Sequence, residues 1–389
     1  MARLTSRDLF PSDEPIRPPS RLIGRETDIE ELVGQLSSGV HRIVAAPRRT
    51  GKSTVCEATV AALRRRRFYS VSVSLFTHTN ASVLAVALAR ETLANRSAAK
   101  RLLDRVRSAG ALTGRSLTAA VRLKTELGDA VEIALEPTLP RSSVSDALRE
   151  ALLLPQRIAD RDDRQLIVFI DELQELTSGT YGDPDELTKQ LRDAVHASPR
   201  VTCLFAGSVE HMMRDLFTNR RRALYQFGGF HDLSRITEAE WRAGLRDRFA
   251  QDDCTTDEEA LGRIITVGEG HPRATMLIAQ QTHVAAVEDD THRIDASLAE
   301  RGYRGALAAD AARHVDLLER IRSMSSAALA VTIRLANGRS PYAGMEKKSA
   351  NRALNALADA SIVLKPRARE PWRLDDPLFA AFLRREISA

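Results

Sequence analysis

The segment RIVAAPRRTGKST, Arg42 to Thr54, carries residue types at a spacing that suits phosphate. The pattern G-x-x-x-x-G-K-[ST] takes a chain from strand to helix through a loop whose N–H groups cradle phosphate oxygens. Gly51, Lys52 and Ser53 are in place, and Ala46 stands where the first glycine is usual. Lys52 would reach the β- and γ-phosphates of ATP, Ser53 would hold Mg²⁺, and Gly51 would let the backbone come close. Ala46 sits at the strand exit, where a methyl group is tolerated if φ stays negative. Pro47, Arg48, Arg49 and Thr50 complete the loop, and Thr54 follows it. A second segment, QLIVFIDE at 165–172, is an apolar strand that ends in Asp171 and Glu172. Asp171 suits Mg²⁺, directly or through water, and Glu172 suits a general base that polarises the attacking water. A third strand end, FAGS, offers Ser208 as a polar sensor of the γ-phosphate or as a plain turn after a buried strand.

The elements that must position these residues can be read from periodicity. Apolar runs at 41–46, 68–76, 165–172 and 200–208 read as strands. Segments 28–36, 52–67, 81–93 and 143–158 read as helices. Their alternation predicts a parallel sheet flanked by helices. The stretch 117–135 reads as a hairpin turning at Leu127-Gly128-Asp129. Strand signals fade after about residue 232. Helix 236–250 opens with the capping-box pattern Thr237-x-x-Glu240, and 256–281 gives two helices separated by Gly268–Pro272. From 312, helices at 325–336 and 348–360 precede a two-stranded wing, 361–366 and 371–374, and a final helix at 377–386. The expected organisation is a loose N-terminal arm over 1–20, an α/β core over 21–232, a helical lid over 233–311 and a winged helix over 312–389.

The bulk properties agree with a globular chain. Its 389 residues suit two or three domains, with 43% hydrophobic and 28% charged residues. The net charge is +5, and from Ala311 onward 14 Lys and Arg face 8 Asp and Glu. The basic surplus therefore sits in the C-terminal fifth, as a solvated surface or as a binding face. Cys56, Cys203 and Cys254 are far apart and form no C-x-x-C pair, which supports neither a zinc site nor a disulfide framework. The N-terminus has no apolar signal region, and no apolar run reaches the roughly 18–20 residues that span a bilayer. A cytoplasmic protein without a membrane segment is expected.

These motifs in this order resemble the prokaryotic AAA+/STAND P-loop ATPases, often called archaeal-type ATPases, which are relatives of the origin-recognition initiators. The resemblance runs from about Arg21 to the end. RLIGRETDIEELVGQL is similar to that family's opening motif, which implies that Gly24 and Arg25 lie beside the base and ribose. APRRTGKST is similar to its P-loop, with Arg48 and Arg49 as the family's double arginine. FIDELQEL resembles its Walker B segment, with Gln174 after the acids, and AGSVEHMMRDLF resembles its sensor-1 strand and helix. GEGHPRATM is similar to its lid turn, which implies that His271, Pro272 and Arg273 approach the nucleotide. DDPLFAAFLRR resembles the end of its C-terminal winged helix. Two positions depart from the family: Ala46, and ALYQFGG, which has Gln226 and Phe227 where Gly-Arg is common. Arg220, Arg221 and Arg222 lie nearby, as substitutes for that arginine or as a solvated loop.

The resemblance implies an ATP-driven switch, with ATP and Mg²⁺ between core and lid. Its hydrolysis would be slow unless a partner or second subunit supplies a cation. The C-terminal unit has two readings. Lys347, Lys348, Asn351 and Arg352 open its second helix and, with Arg367 and Arg369 of the wing, are types that contact DNA phosphates and bases. Alternatively the unit is a protein module that reports nucleotide state, through a protein partner or self-association. A non-hydrolysing nucleotide-bound scaffold is a further alternative, against which stand the intact Lys52, Ser53, Asp171 and Glu172.

Overall fold

The computed structural model describes residues 5–12, 22–96, 119–124, 130–135, 141–196, 199–364 and 371–388. They form two compact units. One comprises Asp28–Ala46 and Val55–Leu233; the other takes the described residues up to Thr27, Pro47–Thr54 and those from Ser234 onward.

The first unit is built on strands β1 (Arg42–Ala45), β2 (Tyr69–Ser74), β3 (Ala119–Lys124), β4 (Ala130–Leu135), β5 (Leu166–Asp171), β6 (Val201–Gly207) and β7 (Gly229–Phe230). Five of them make one sheet in the order β2-β5-β6-β1-β7, and every neighbouring pair is parallel. Strand β6 thus lies between β1 and β5. Strands β3 and β4 pair separately as an antiparallel hairpin, as 117–135 predicts, with the turn itself outside the described residues.

Side-chain alternation along the strands sorts the sheet into two buried faces. Ile43, Val168, Ile170, Cys203 and Phe205 belong to one core, which also takes Leu84 and Leu88 of helix Ala81–Leu93 and Leu187 and Leu191 of helix Pro184–His196. Val44, Ile167, Phe169, Leu204 and Ala206 face the other way, against Leu32 and Leu36 of helix Glu26–Ser37 and Val55, Val60 and Leu63 of helix Lys52–Arg65. Strands buried on both faces read as continuous apolar runs, as LIVFI does.

The second unit is helical. Helices Glu238–Ala250, Glu258–Val267, Pro272–Glu288 and Ala296–Ala309 enclose a core of Trp241, Leu245, Phe249, Ile264, Leu277, Ile278 and Leu298. The Thr237 capping box forms: Thr237 Oγ1 accepts from the Glu240 amide at 3.2 Å, and the Glu240 carboxylate accepts from the Thr237 amide at 2.7 Å. Two short strands, β8 (Thr255–Thr256) and β9 (Arg293–Ile294), pair in parallel. Helices Ala311–Met324, Ser326–Ala336 and Lys347–Asp359 follow. Then come the antiparallel strands β10 (Val363–Leu364) and β11 (Arg373–Leu374) and the helix Pro377–Ser388. Leu354, Leu357, Val363, Leu374 and Phe379 close a further core here. Arg367 and Arg369 lie outside the described residues.

One expectation is corrected. Composition predicts a loose N-terminal arm, yet Ser6–Leu9 form a short helix with a Thr5–Asp8 capping box. Leu9 and Phe10 are fully buried in the core of the helical unit, Phe10 against Phe249 with ring centroids 4.6 Å apart. The Arg248 guanidinium donates to the Leu9 carbonyl and the Gln280 amide to the Phe10 carbonyl. The Pro-rich composition hides two apolar residues that anchor this piece. Among the described residues no helix is long and apolar enough to cross a membrane.

Candidate active site

The loop after β1 begins with a backbone bond from the Ala46 amide to the Gly207 carbonyl of β6, at 3.3 Å. The left-handed positions of the loop are Arg49 (φ 67°) and Gly51 (φ 84°), and Ala46 is not among them. The methyl group of Ala46 is therefore unstrained. Thr50 Oγ1 donates to the Pro47 carbonyl at 2.9 Å and closes the turn. Arg25 braces it: its guanidinium donates to the Thr50 carbonyl at 3.1 Å and to the Ser234 carbonyl. Gly24, at φ 59°, precedes it, and a Cβ there would lie 2.7 Å from Ile236. Lys52 is buried, with its Nζ 3.4 Å from Ser53 Oγ. Thr54 is buried too, whereas Arg48 and Arg49 are exposed.

At the end of β5, Glu172 adopts φ 54°, which turns the chain sharply after Asp171. The Glu172 amide donates to Asp171 Oδ1 at 2.9 Å. Glu172 Oε2 accepts from Ser208 Oγ at 2.7 Å, from the Ser208 amide at 3.3 Å and from the Gln174 side-chain amide. Ser208 and Gln174 are both buried. Glycine at 207 leaves room for its neighbours: a Cβ there would lie 2.3 Å from Met213 Sδ and 2.5 Å from Gln174 Oε1, so those side chains would have to shift. Ser208, expected as a phosphate sensor, is thus placed as the partner of Glu172.

The turn Gly268–Pro272 joins helices Glu258–Val267 and Pro272–Glu288, with Glu269 and Gly270 at positive φ. His271 Nδ1 accepts from the Ala274 amide at 3.2 Å and caps the helix, with Pro272 in the first turn. This leaves His271 Nε2 buried without a partner among the described residues, as are Trp241 Nε1 and Thr275 Oγ1. Burial, with the charges of Arg273, Arg49 and Arg313 against that of Asp376, pushes the His271 pKa down to about 4.

Arg273 does not stand open. It is buried and bidentate to Asp310, with Nη2 2.8 Å from Oδ1 and Nη1 2.5 Å from Oδ2. Arg313 Nη2 lies 2.6 Å from both Asp310 Oδ2 and Asp376 Oδ2. Asp376 Oδ1 in turn caps the last helix by accepting from the Leu378 amide at 2.9 Å. Burial would raise the Asp310 carboxyl, but the hydrogen bonds from Arg273 and Arg313 overcome it and hold the pKa at about 2. The charges of all four groups also act on Arg49 of the loop. Residues 310, 313 and 376 were missed from the sequence; they stand alone in pattern, and only packing joins them.

The departure at 226–227 has a packing reason. Phe227 is buried, stacked on His41 at 4.7 Å and edge-on to His196 at 5.1 Å. The ring thus fills this place as an apolar packing residue. Among the neighbouring arginines, Arg222 is held by Asp215 at 2.9 Å and Asp185 at 3.2 Å, while Arg220 and Arg221 are exposed.

Searches with protein-family models and among curated proteins found no match. Solved structures did match. A Walker-type ATPase of Pyrococcus abyssi superposes with a TM-score of 0.70 at 16% identity, over 97% of this chain and 99% of that one. The ORC2 protein of Aeropyrum pernix, in its ADPNP–ADP complexes, gives 0.58 at 14% identity over 100% of both chains. The ORC1 protein of the same organism, in complex with DNA, gives 0.52 at 15% identity over 98% and 96%. The chain has the fold of the archaeal P-loop ATPases. At these identities the likeness establishes architecture, and chemistry must come from the residues.

Those residues fit a nucleotide phosphate. A Cβ at Gly51 would meet nothing within 4 Å, so the loop leaves an open cradle beside the buried Lys52. Buried His271 Nε2 still needs a partner, as a polar ligand would provide.

The depressed His271 pKa has a consequence for stability. Between about 4 and 6.5 the unfolded chain binds a proton at this ring that the folded chain refuses, so stability is lost as pH falls through that window. His271→Asn keeps a capping side chain and removes the titration. Urea unfolding at pH 7 and pH 5 should show wild type losing on the order of 2 kcal/mol more than the variant. Equal losses would show that His271 does not titrate in this way.

Proposed function

We propose that this chain is a Mg²⁺-dependent ATPase of the AAA+/STAND class that works as a nucleotide-controlled switch. The observation that carries the reading is topological. The Lys52–Ser53 loop, the Asp171–Glu172 pair and Ser208 all follow the carboxyl ends of strands in one parallel sheet. Ligands of open α/β sheets bind outside those ends.

In this reading Gly51, Lys52 and Thr54 bind the phosphates through backbone amides and the lysine charge. Ser53 and Asp171 hold Mg²⁺, which supplies charge neutralisation at the transferring phosphoryl group. Glu172 takes the proton of the attacking water. Donors from Ser208 and Gln174 fix the direction of its carboxylate. Arg25 keeps the loop closed through Thr50, and His271 offers Nε2–H to the nucleotide.

The switch reading is supported by the charge chain that leaves the lid turn. Arg273 grips Asp310, Asp310 and Asp376 share Arg313, and Asp376 caps the last helix of the C-terminal unit. A shift of the 268–273 turn therefore stresses buried charge pairs that end in that unit. Arg220 and Arg221 are exposed donors that a second copy could receive, so hydrolysis is slow in the lone chain and faster on self-association.

Lys52→Ala should abolish ATP binding in calorimetry, and a retained affinity would remove the assignment of the loop. Glu172→Gln should bind ATP normally but turn it over at least about 100-fold more slowly. Unchanged turnover would exclude Glu172 as the base.

A second reading, DNA binding by the C-terminal unit, is favoured by one observation. Lys347, Lys348, Asn351 and Arg352 are exposed on one helix whose Ala350, Ala353, Leu354 and Leu357 are buried. A triple replacement of Lys347, Lys348 and Arg352 by Ala should abolish duplex binding and flatten its salt dependence, with ATP turnover intact. Absence of wild-type binding at low salt would discard this reading.

A further inference from the structure

The helical unit holds a second polar cluster, made of residues that none of the motifs above includes. Helix Glu238–Ala250 ends in a tight left-handed turn. The Cys254 amide donates to the Phe249 carbonyl at 3.1 Å and the Asp253 amide to the Ala250 carbonyl at 3.2 Å, with Asp253 at φ 57°. This is a Schellman closure, and it fixes the backbone on either side of residue 253. Asp252 and Cys254 thereby come together with His283, which lies in helix Pro272–Glu288. One carboxylate oxygen, the sulfur and one ring nitrogen all lie within 4.8 Å of one another.

We propose that Asp252, Cys254 and His283 form a binding site for a zinc-class divalent cation, with three protein ligands and an open fourth position. Two ligand atoms at about 2.0 Å from a tetrahedral ion stand about 3.3 Å apart. His283 Nε2 and Asp252 Oδ2 are 3.2 Å apart. The other ring nitrogen, Nδ1, is 2.8 Å from Ser6 Oγ. When Nδ1–H donates to that hydroxyl, Nε2 turns its lone pair to Asp252, the tautomer that a metal requires. His283 is 1% exposed and Cys254 6%, so the soft and borderline ligands are shielded, while Asp252 reaches the surface in part. Rings of Phe10 and Phe249 flank the imidazole.

Asp310, His314 and Asp376 also bring ligand atoms within 4.8 Å. There the guanidinium groups of Arg273 and Arg313 already neutralise the carboxylates. That cluster has its cation built in. At the Asp252 cluster a divalent ion would also tie the N-terminal piece to the helical unit, because Ser6 belongs to the same segment as Leu9 and Phe10.

Cobalt(II) is the probe, since only a thiolate ligand gives it an intense near-ultraviolet charge-transfer band. Full-length protein stripped with a chelator and titrated with Co²⁺ should develop that band at one equivalent, and Zn²⁺ should displace it. Cys254→Ser should lose the band, and Ser6→Ala should keep it with affinity weakened about 10- to 100-fold. Cys56 and Cys203 belong to the other unit and are fully buried, so a band from either would persist in Cys254→Ser. No band in the wild type, or one that survives that substitution, would overturn the proposal. The wild-type titration decides the matter even if a variant folds poorly.

Discussion

The parallel pairing of β6 between β1 and β5 is the constraint from which the candidate site follows. Glu172 and Ser208, 36 positions apart, come together because β5 and β6 run the same way. Register does the finer work. Ile170 pairs with Phe205, so the chain leaves the two strands side by side, and Glu172, two residues on, meets Ser208, three residues on, and accepts its hydrogen bond. A slip by one residue would invert the faces of the strand and bury the wrong side chains. The apolar alternation that fills both cores thus also aims the carboxylate. Gly207, without a side chain, leaves Met213 and Gln174 their places beside the pair.

The helical unit solves a different problem, which is how to keep arginines inside. Arg273 and Arg313 are held by Asp310 and Asp376 in a paired chain. Burying such charges costs desolvation that their attraction offsets only when the geometry is good and every partner is present. The return is directional. Each carboxylate has a second role, since Asp310 joins two arginines and Asp376 caps a helix. The depressed pKa of His271 belongs to the same setting, since its ring caps a helix within reach of three guanidinium charges.

Much of this was legible in the residues themselves. The strands LIVFID and VTCLFAG announce burial on both faces, and the capping pattern at Thr237 locates a helix start to the residue. What the pattern left out shares one physical trait: it depends on partners distant in sequence. Strand β7 is two residues long and exists only because β1 offers it an edge. The Asp310–Arg313–Asp376 chain joins positions 63 residues apart that share no motif. Leu9 and Phe10 look like stray apolar residues in a polar arm until the Phe249 surface is known. Cys254 escapes notice because zinc patterns are sought in cysteine pairs, whereas Asp252 and His283 reach it through a helix end and a helix face. Residues 365–370, where two of the basic wing positions fall, lie outside the described residues.

The two departures from the P-loop ATPase pattern are unequal, and backbone geometry explains why. Ala46 is harmless because the loop places its left-handed turns at Arg49 and Gly51, one of them on a residue with a side chain. The strain that a glycine relieves elsewhere is carried here by Arg49, exposed and set among the charges of Arg273, Arg313, Asp310 and Asp376. A non-glycine residue held at positive φ costs on the order of 1 kcal/mol or more, and surrounding interactions must offset it. The Arg25–Thr50 bond is the interaction at hand. Phe227 is the deeper change. Its ring is locked between His41, His196 and Phe205, so no rearrangement short of unfolding that core could supply a cation from this position. Among the described residues of the loop before Phe227, Arg220 and Arg221 are exposed, as are Arg48 and Arg49 after β1.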